Sequence, residues 1–237
     1  MGLPIALTVN KDQDQHVGLV GGSIERRIAT SRIPPIEHEA VLAPFRRPDD
    51  RARFADFVSA PELEVEVGFG RSPHLLELAS QSSDRNVLGF EIRRQWVRQA
   101  AKGAAREGLQ NIRVVEGDAR PFLETLVAEG TVARVHILFP DPWWKRRHHK
   151  RRVFSKPWLD LVHRILMPGG SLIAKTDVPA YSDLMASSVG AHKGFRLMGT
   201  HIGDPVLAQV PRSHREKKCA QHNIPVYAFR YMKETTR

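Results

Sequence analysis

The chain has 237 residues, 41% of them apolar, 26% charged and 7% aromatic, which is a globular composition and argues against wholesale disorder. Lys and Arg number 36 against 26 Asp and Glu, and the excess of +10 is concentrated in two places: KRRHHKRR at 145–152 carries +6 and RSHREKK at 212–218 carries +3. A near-neutral body with two short basic patches predicts local attraction to a polyanion, and the lack of any window of about 18 apolar residues excludes a membrane-spanning helix.

In chain order, residues 1–60 read as an irregular arm: Gly18, Gly21 and Gly22, then Pro34-Pro35, then the charged run FRRPDDRARF. Its start lacks a basic segment and a small-residue cleavage site, so no secretory leader is expected, and Ala6 stands where myristoylation needs Ser or Thr. No internal repeat is present. From ELEVEVGFG onward the texture changes. That stretch alternates and stops at glycines, predicting a strand entering a turn. Leu75, Leu76, Leu78 and Ala79 follow at helical spacing. A second strand is predicted over 86–91, a helix over 93–107 ended by Gly108, and a third strand over 112–118. Pro121 is read as opening a short helix over Phe122, Leu123 and Leu126. VHILF at 135–139 is continuous and apolar, as a buried parallel strand should be. A helix over 155–166, a turn at Pro168-Gly169-Gly170 and a fifth strand over 171–176 complete the alternation. The expected architecture is α/β, a doubly wound and mostly parallel sheet, with ligand bound past the carboxyl ends of its strands.

Four polar clusters fall at those strand ends. Glu66-Val67-Gly68-Phe69-Gly70 would let the backbone approach a ligand closely. Pro73 occupies the position of the third glycine of a dinucleotide fingerprint, which disfavours a pyrophosphate cradle and a nicotinamide-dependent oxidoreductase. Glu91 ends the second strand, where a carboxylate can accept two hydrogen bonds from a ribose diol. Gly117-Asp118-Ala119 ends the third strand and Phe139-Pro140-Asp141-Pro142-Trp143 the fourth. A nucleoside ligand without pyrophosphate points to S-adenosylmethionine, whose sulfonium is cationic. After Trp143 and Trp144 come six cations within eight residues, placed to hold phosphates near the reacting centre. Trp143 is read as a buried anchor of the loop. His148 and His149 are adjacent and project differently, so no metal site is expected. Cys219 is the only cysteine, which rules out intrachain disulfides and thiolate clusters and fits a reducing cytoplasm.

The motifs EVGFG at 66–70, GFE at 89–91, GDA at 117–119, FPDPWWKRRHHKRR at 139–152, MPGG at 167–170 and KTD at 175–177 resemble those of the tRNA (guanine-N7-)-methyltransferase family. Its members form 7-methylguanosine at position 46 of the tRNA variable loop. The resemblance covers about half the chain and implies a Rossmann-like class I methyltransferase domain over 61–237, with a seven-stranded sheet. By position it implies that Glu66, Gly68, Gly70, Glu91, Asp118 and Ala119 bind S-adenosylmethionine and that Asp141 is the catalytic residue. It further implies that Lys145, Arg147, His148, Arg151 and Arg152 hold tRNA, while Thr176 and Asp177 line the guanine pocket. Thr176-Asp177 could equally serve as a helix N-cap before Pro179. Two motifs depart from the family: the first glycine motif lacks the usual next glycine, having Ser72-Pro73, and the last strand differs. Where the last strand usually carries Pro-x-Thr-x-x-Glu, this chain has Pro225 to Arg230, with Tyr227 for the Thr and Arg230 for the Glu. A cation is then expected beside the base that becomes cationic. Two other readings stay open: a relative methylating another RNA site, and an RNA-binding relative without catalysis.

Overall fold

The structure, a computed structural model, describes residues 54, 56–59, 62–200 and 204–234, apart from the Lys150 side chain. The glycines, prolines and most of the charged run of the arm lie outside the described residues. Seven strands form one sheet: β1 (Glu62–Val67), β2 (Arg85–Glu91), β3 (Ile112–Glu116), β4 (Val132–Leu138), β5 (Leu166–Thr176), β6 (Phe195–Thr200) and β7 (Tyr227–Lys233). Their spatial order is β3-β2-β1-β4-β5-β7-β6. All neighbours run parallel except β7, which is antiparallel to both β5 and β6. The order reverses between β1 and β4, so the crevice of a doubly wound sheet opens above that pair. The helices are α1 (Pro73–Ser80), α2 (Arg94–Arg106), α3 (Ala119–Leu126), α4 (Lys156–Ile165), α5 (Pro179–Gly190), α6 (Pro205–Gln209) and α7 (His214–Gln221).

Two local expectations are corrected. Pro121 does not open α3. The Asp118 side chain accepts the Arg120 N–H at 3.1 Å and caps the helix two residues earlier. Pro168-Gly169-Gly170 does not precede the fifth strand but interrupts it. Pairing with β4 shifts register between Val132–Leu166 and Arg134–Ser171, and Gly169 takes a φ of 75° there.

The two faces of the sheet differ. One is apolar: Val65, Phe90, Ile137, Leu172 and Tyr231 meet Phe54, Phe122, Trp158 and Tyr181 in the main core. Each fully buried Leu, Ile or Phe there contributes about 1.5–3 kcal/mol of transfer free energy. Phe54, Phe57 and Val58 belong to this core, and the Phe57 carbonyl accepts the Asn86 amide at 2.8 Å. The opposite face carries Glu64 and Glu66 on β1, beside Val87 and Gly89 on β2 and His136 on β4. The alternation ELEVEV is therefore a strand buried on both sides, not half-solvated: Glu64 is 0% and Glu66 2% exposed. Gly89 lets α1 settle on this face, because a β-carbon there would lie 2.6 Å from Leu75 and 2.8 Å from Phe69.

Buried carboxylates need partners. Glu64 accepts from His136 Nε2 at 2.7 Å and Arg134 at 2.8 Å, and pairs with Arg85 at 2.8 Å. Glu66 accepts from His74 Nδ1 at 2.9 Å. Burial alone would raise the Glu64 pKa, but the His136 hydrogen bond and charge and the two arginines outweigh it, and the net shift is downward. Burial also pushes His136 below its ordinary 6.5, with Glu64 opposing. Both groups bind fewer protons folded than unfolded, so their stabilisation is present above the unfolded values and lost as pH falls. Unfolding free energy should decline below about 6.5 as His136 takes up protons on unfolding, and further below 4.5 through Glu64. Urea midpoints measured from pH ~8 to ~5 should show this, with a shallower first decline in His136→Gln. A level midpoint through that range would remove His136 from the pH response, and a level midpoint continued down to pH ~3 would remove Glu64.

Candidate active site

A cavity of about 560 Å³ lies past the carboxyl ends of β1 to β4. Its wall contains eight of the residues to which the sequence resemblance gave a binding or catalytic role: Gly68, Gly70, Glu91, Asp118, Ala119, Asp141, Arg151 and Arg152. Gly68 and Gly70 have φ of 77° and 56°, a region costly for L side chains, and the space where their β-carbons would lie is open. Bare backbone therefore faces the cavity at the end of β1. Glu91 holds this end together. Its carboxylate accepts the Gly70 N–H at 3.0 Å and the Arg93 N–H at 2.8 Å. Asp118, half exposed at the end of β3, is paired with Arg120 and caps α3.

Glu66 is apart from this group. It lies beneath the wall, bonded to His74. Sequence reasoning missed Ile92, which is 71% exposed in the cavity wall directly after Glu91 and offers an apolar face to a ligand ring. An exposed isoleucine just past a strand-end carboxylate was the available signal.

The loop after β4 carries Asp141 between two prolines, and the residues flanking that triplet both adopt left-handed backbone. Phe139 has φ 52° and Trp143 φ 45°. Each such residue costs about 1–2 kcal/mol. Hydrogen bonds hold the conformation: Phe139 N–H to the Lys175 carbonyl at 2.7 Å, and Arg152 Nε to the Pro142 carbonyl at 3.0 Å. Asp141 is exposed and stands in the cavity wall between Phe139 and Trp143. Behind it, Tyr181 is fully buried, and burial pushes its phenol up to about 12.

The basic run forms a 3₁₀ turn over Arg146–Arg151. Trp143 is not the fully buried anchor expected. It is half-buried in the cavity wall, with Arg151 over its ring at 4.9 Å and His148 edge-on at 5.4 Å. Lys145 and Arg147 are exposed beside the cavity, and neither is ion-paired with a described residue.

Thr176 and Asp177 end β5, and neither lines the cavity. Thr176 is buried and accepts the Val178 N–H at 3.2 Å, a local turn before α5, whose N-cap is Val178. Asp177 is bound by Arg215 of α7, with Nε at 2.9 Å, and approached by the Cys219 thiol at 3.8 Å. Burial, then Asp177, pushes that thiol up, the reverse of an activated nucleophile. Two of the four cations of the second basic patch are thus engaged within the molecule: Arg215 on Asp177 and Lys217 on Glu77 at 3.8 Å. Arg230 is also not where expected. It lies off the cavity and is paired with Asp204 at 2.9 Å. Tyr227, in register with Thr176, is the member of the divergent motif that reaches the ligand end of the sheet. Among the described residues, no group of three His, Cys, Asp or Glu is placed to hold a metal ion, and no helix is long and apolar enough to cross a membrane.

A family model described as "Putative methyltransferase" matches residues 61–229. A tRNA (guanine-N(7)-)-methyltransferase of Pseudomonas putida is 34% identical over 169 residues, covering 70% of each chain. One of Myxococcus xanthus is 32% identical over 179 residues, 76% of this chain and 87% of that one. The chain belongs to this methyltransferase family. Among solved structures, the 16S rRNA methyltransferase KamB superposes with a TM-score of 0.57 at 18% identity, over 80% of this chain and 94% of that one, which shows the shared fold.

In this family member, α7 is fastened over the end of β5 by a buried ion pair. Lys175 Nζ donates to both oxygens of Glu216 at 3.1 and 2.9 Å, with the side chains 3% and 9% exposed. Removing one partner strands a buried charge. Glu216→Ala should cost about 3–5 kcal/mol, whereas the double variant Lys175→Met/Glu216→Leu should lose much less. Denaturant unfolding of both variants gives the comparison. Equal losses would mean that charge pairing is not what the site requires.

Proposed function

We propose that this chain transfers a methyl group from S-adenosylmethionine to N7 of a guanine in tRNA, forming 7-methylguanosine. The observation that carries this reading is the shared rim. Bare glycine backbone, the Glu91 carboxylate, the fixed Asp141 and a cationic turn border one cavity. The residues present suit the methyl donor. Gly68 and Gly70 leave room for it, Glu91 offers a carboxylate for a ribose diol, Ile92 gives an apolar face for a purine, and Ala119 and the Asp118 region close the far side. S-adenosylmethionine supplies an electrophilic methyl on a cationic sulfur.

Guanine N7 carries an in-plane lone pair and no proton, so the protein needs no general base. Its work is alignment and exclusion of water. Positive charge builds on the purine as the methyl arrives. A carboxylate already held in place by two prolines and a locked loop stabilises that charge without reorganising, and Asp141 takes this role. Lys145, Arg147, His148, Arg151 and Arg152 hold the RNA backbone beside it, because N7 of a regular A-form helix is shielded and folded RNA must be docked by shape and phosphate. Thr176 and Asp177 stand beside the cavity rather than in it, Thr176 holding the turn into α5 and Asp177 held by Arg215. Glu66 acts from beneath through His74, supporting the glycine turn. Residues 61–237 together with the core residues Phe54, Phe57 and Val58 form the catalytic domain, which shortens the arm read over 1–60, and an RNA substrate with one buried cysteine fits the cytoplasm.

A second reading rests on Tyr227, which stands at the ligand end of the sheet where the family carries Thr: the target is then another RNA base or site. Incubation with bulk tRNA and methyl-labelled S-adenosylmethionine, followed by nucleoside mass spectrometry, separates the two. 7-Methylguanosine supports the first; a different methylated nucleoside in its place supports the second. Asp141→Ala and Asp141→Asn should each slow methylation by roughly 100-fold or more while tRNA affinity stays near that of the parent. Near-normal turnover would remove Asp141 from the chemistry.

A further inference from the structure

A second concavity of the described surface lies apart from the one above the strand ends. A groove of about 890 Å³ runs between α1 and α2, outside the cavity that holds Asp141. Its floor is the close approach of the two helices at Gly103, where a β-carbon would meet the Leu76 side chain. Along its wall stand Arg71, Arg98, Lys102 and Arg106.

The sequence of α2, RQWVRQAAKGAAR, puts cations at 94, 98, 102 and 106 and contains no carboxylate. Four residues advance a helix by roughly 6 Å, so these charges stack in one row. A helix face that merely meets solvent gains from opposite charges at this spacing, and like charges destabilise it by a few tenths of a kcal/mol per pair. Arg94 is offset by Glu116 at 3.8 Å, and Arg106 by Glu107 at 3.1 Å. Arg98 and Lys102 are exposed and have no ion pair with a described residue. Arg71 extends the row, laid over the Trp96 ring at 4.9 Å with its carbonyl accepting from Gln99 at 3.2 Å. Ser72, 1% exposed, lines the groove with a buried hydroxyl that has no hydrogen-bond partner among the described residues. The groove's acidic members are already engaged: Glu77 with Lys217 and Glu107 with Arg106.

We propose that the α1–α2 groove is a second phosphate-binding surface, which grips the backbone of the RNA substrate away from the reacting base. The row's spacing is close to that of successive phosphates on one strand, and phosphate contact offsets the mutual repulsion of the cations. The site rests on the RNA substrate argued above, but it is read out by binding and not by chemistry.

The test is the double charge reversal Arg98→Glu/Lys102→Glu in the full chain, with Lys193→Glu/Arg196→Glu at the opposite edge of the sheet as control. Glu has nearly the same helix propensity as the residues replaced, and the reversal relieves repulsion, so the melting temperature should hold or rise. Affinity for bulk tRNA should fall roughly tenfold or more, and the slope of log affinity against log salt should shrink by about 1.5–2. KM for tRNA should rise with kcat unchanged at saturating RNA, and S-adenosylmethionine affinity should not move. The control should keep both affinity and slope. Unchanged tRNA affinity and slope in the double variant, with the parent binding well, would overturn the groove alone. Loss of polyglutamate binding with RNA affinity intact would also overturn it, assigning the groove to an acidic protein. A parent that binds no tRNA at any salt overturns the substrate reading and the groove with it.

Discussion

One face of the sheet buries charges among two apolar clusters, and the need to neutralise those charges constrains the remaining architecture. Residues in register across neighbouring strands project to the same side. Glu66 on β1, His136 on β4, Ile173 on β5 and Arg230 on β7 therefore share a face, with Lys175 two residues further along β5. An unpaired charge in such a place would cost several kcal/mol, so each has recruited a partner. Glu64 takes His136, Arg134 and Arg85; Glu66 takes His74; Lys175 takes Glu216; Arg230 takes Asp204. Three of these partners come from the packing layer: His74 from α1, Asp204 from the start of α6, and Glu216 from α7. The apolar face tolerates many arrangements of similar volume. On the opposite face, buried ion pairs act together with two apolar clusters to place those elements.

That fixing reaches the cavity through short links. Lys175 joins two of them: its side chain anchors α7 through Glu216, while its carbonyl receives the Phe139 N–H at the root of the strained loop. Arg215 follows from the same helix and holds Asp177. On the other side of the crevice, the Glu66–His74 bond joins the end of β1 to the first turn of α1, with the Gly68–Gly70 turn between them. Glu91 then pins Gly70 from β2. The loops at the cavity are thus tied to buried, geometrically demanding pairs as well as to the apolar clusters of the same face, in which Phe69 packs on Leu75 and Phe139 packs beside Leu138.

Much of this was legible in the sequence. Five strands and the helices between them follow from alternation and breakers, since period and punctuation are local properties. The cavity residues followed too, because strand ends of a parallel sheet converge on one side whatever the packing beneath. The less legible parts involve partners distant in sequence. Glu64 and His136 are 72 residues apart, and Lys175 and Glu216 are 41 apart. No periodicity links them. ELEVEV looks half-solvated until one asks what neutralises its glutamates. Likewise the cations at 212–218 looked free because Asp177 and Glu77, which occupy two of them, lie on other elements. Trp143 looked like a core anchor because its neighbours on the cationic turn cannot be seen from composition alone.

The same accounting changes the meaning of the divergent last strand. An arginine where relatives carry a glutamate seemed to bring positive charge to a base that becomes positive. In the fold that charge is already neutralised. Asp204 caps α6 through the Val206 and Leu207 amides and accepts from Arg230 Nε, so one carboxylate satisfies a helix start and a cation together. Burial would raise the Asp204 pKa, yet those hydrogen bonds and the Arg230 charge hold it below the ordinary range. Gly199, the register partner of Arg230 on β6, leaves room for it: a β-carbon there would collide with the Asp204 side chain. Gly199, Asp204 and Arg230 therefore form one steric and electrostatic unit at the far side of the sheet. The exchange at Arg230 reads as a repair of the charged face, and the chemical distinctiveness of this chain narrows to Tyr227, the one altered residue of the motif that reaches the ligand end.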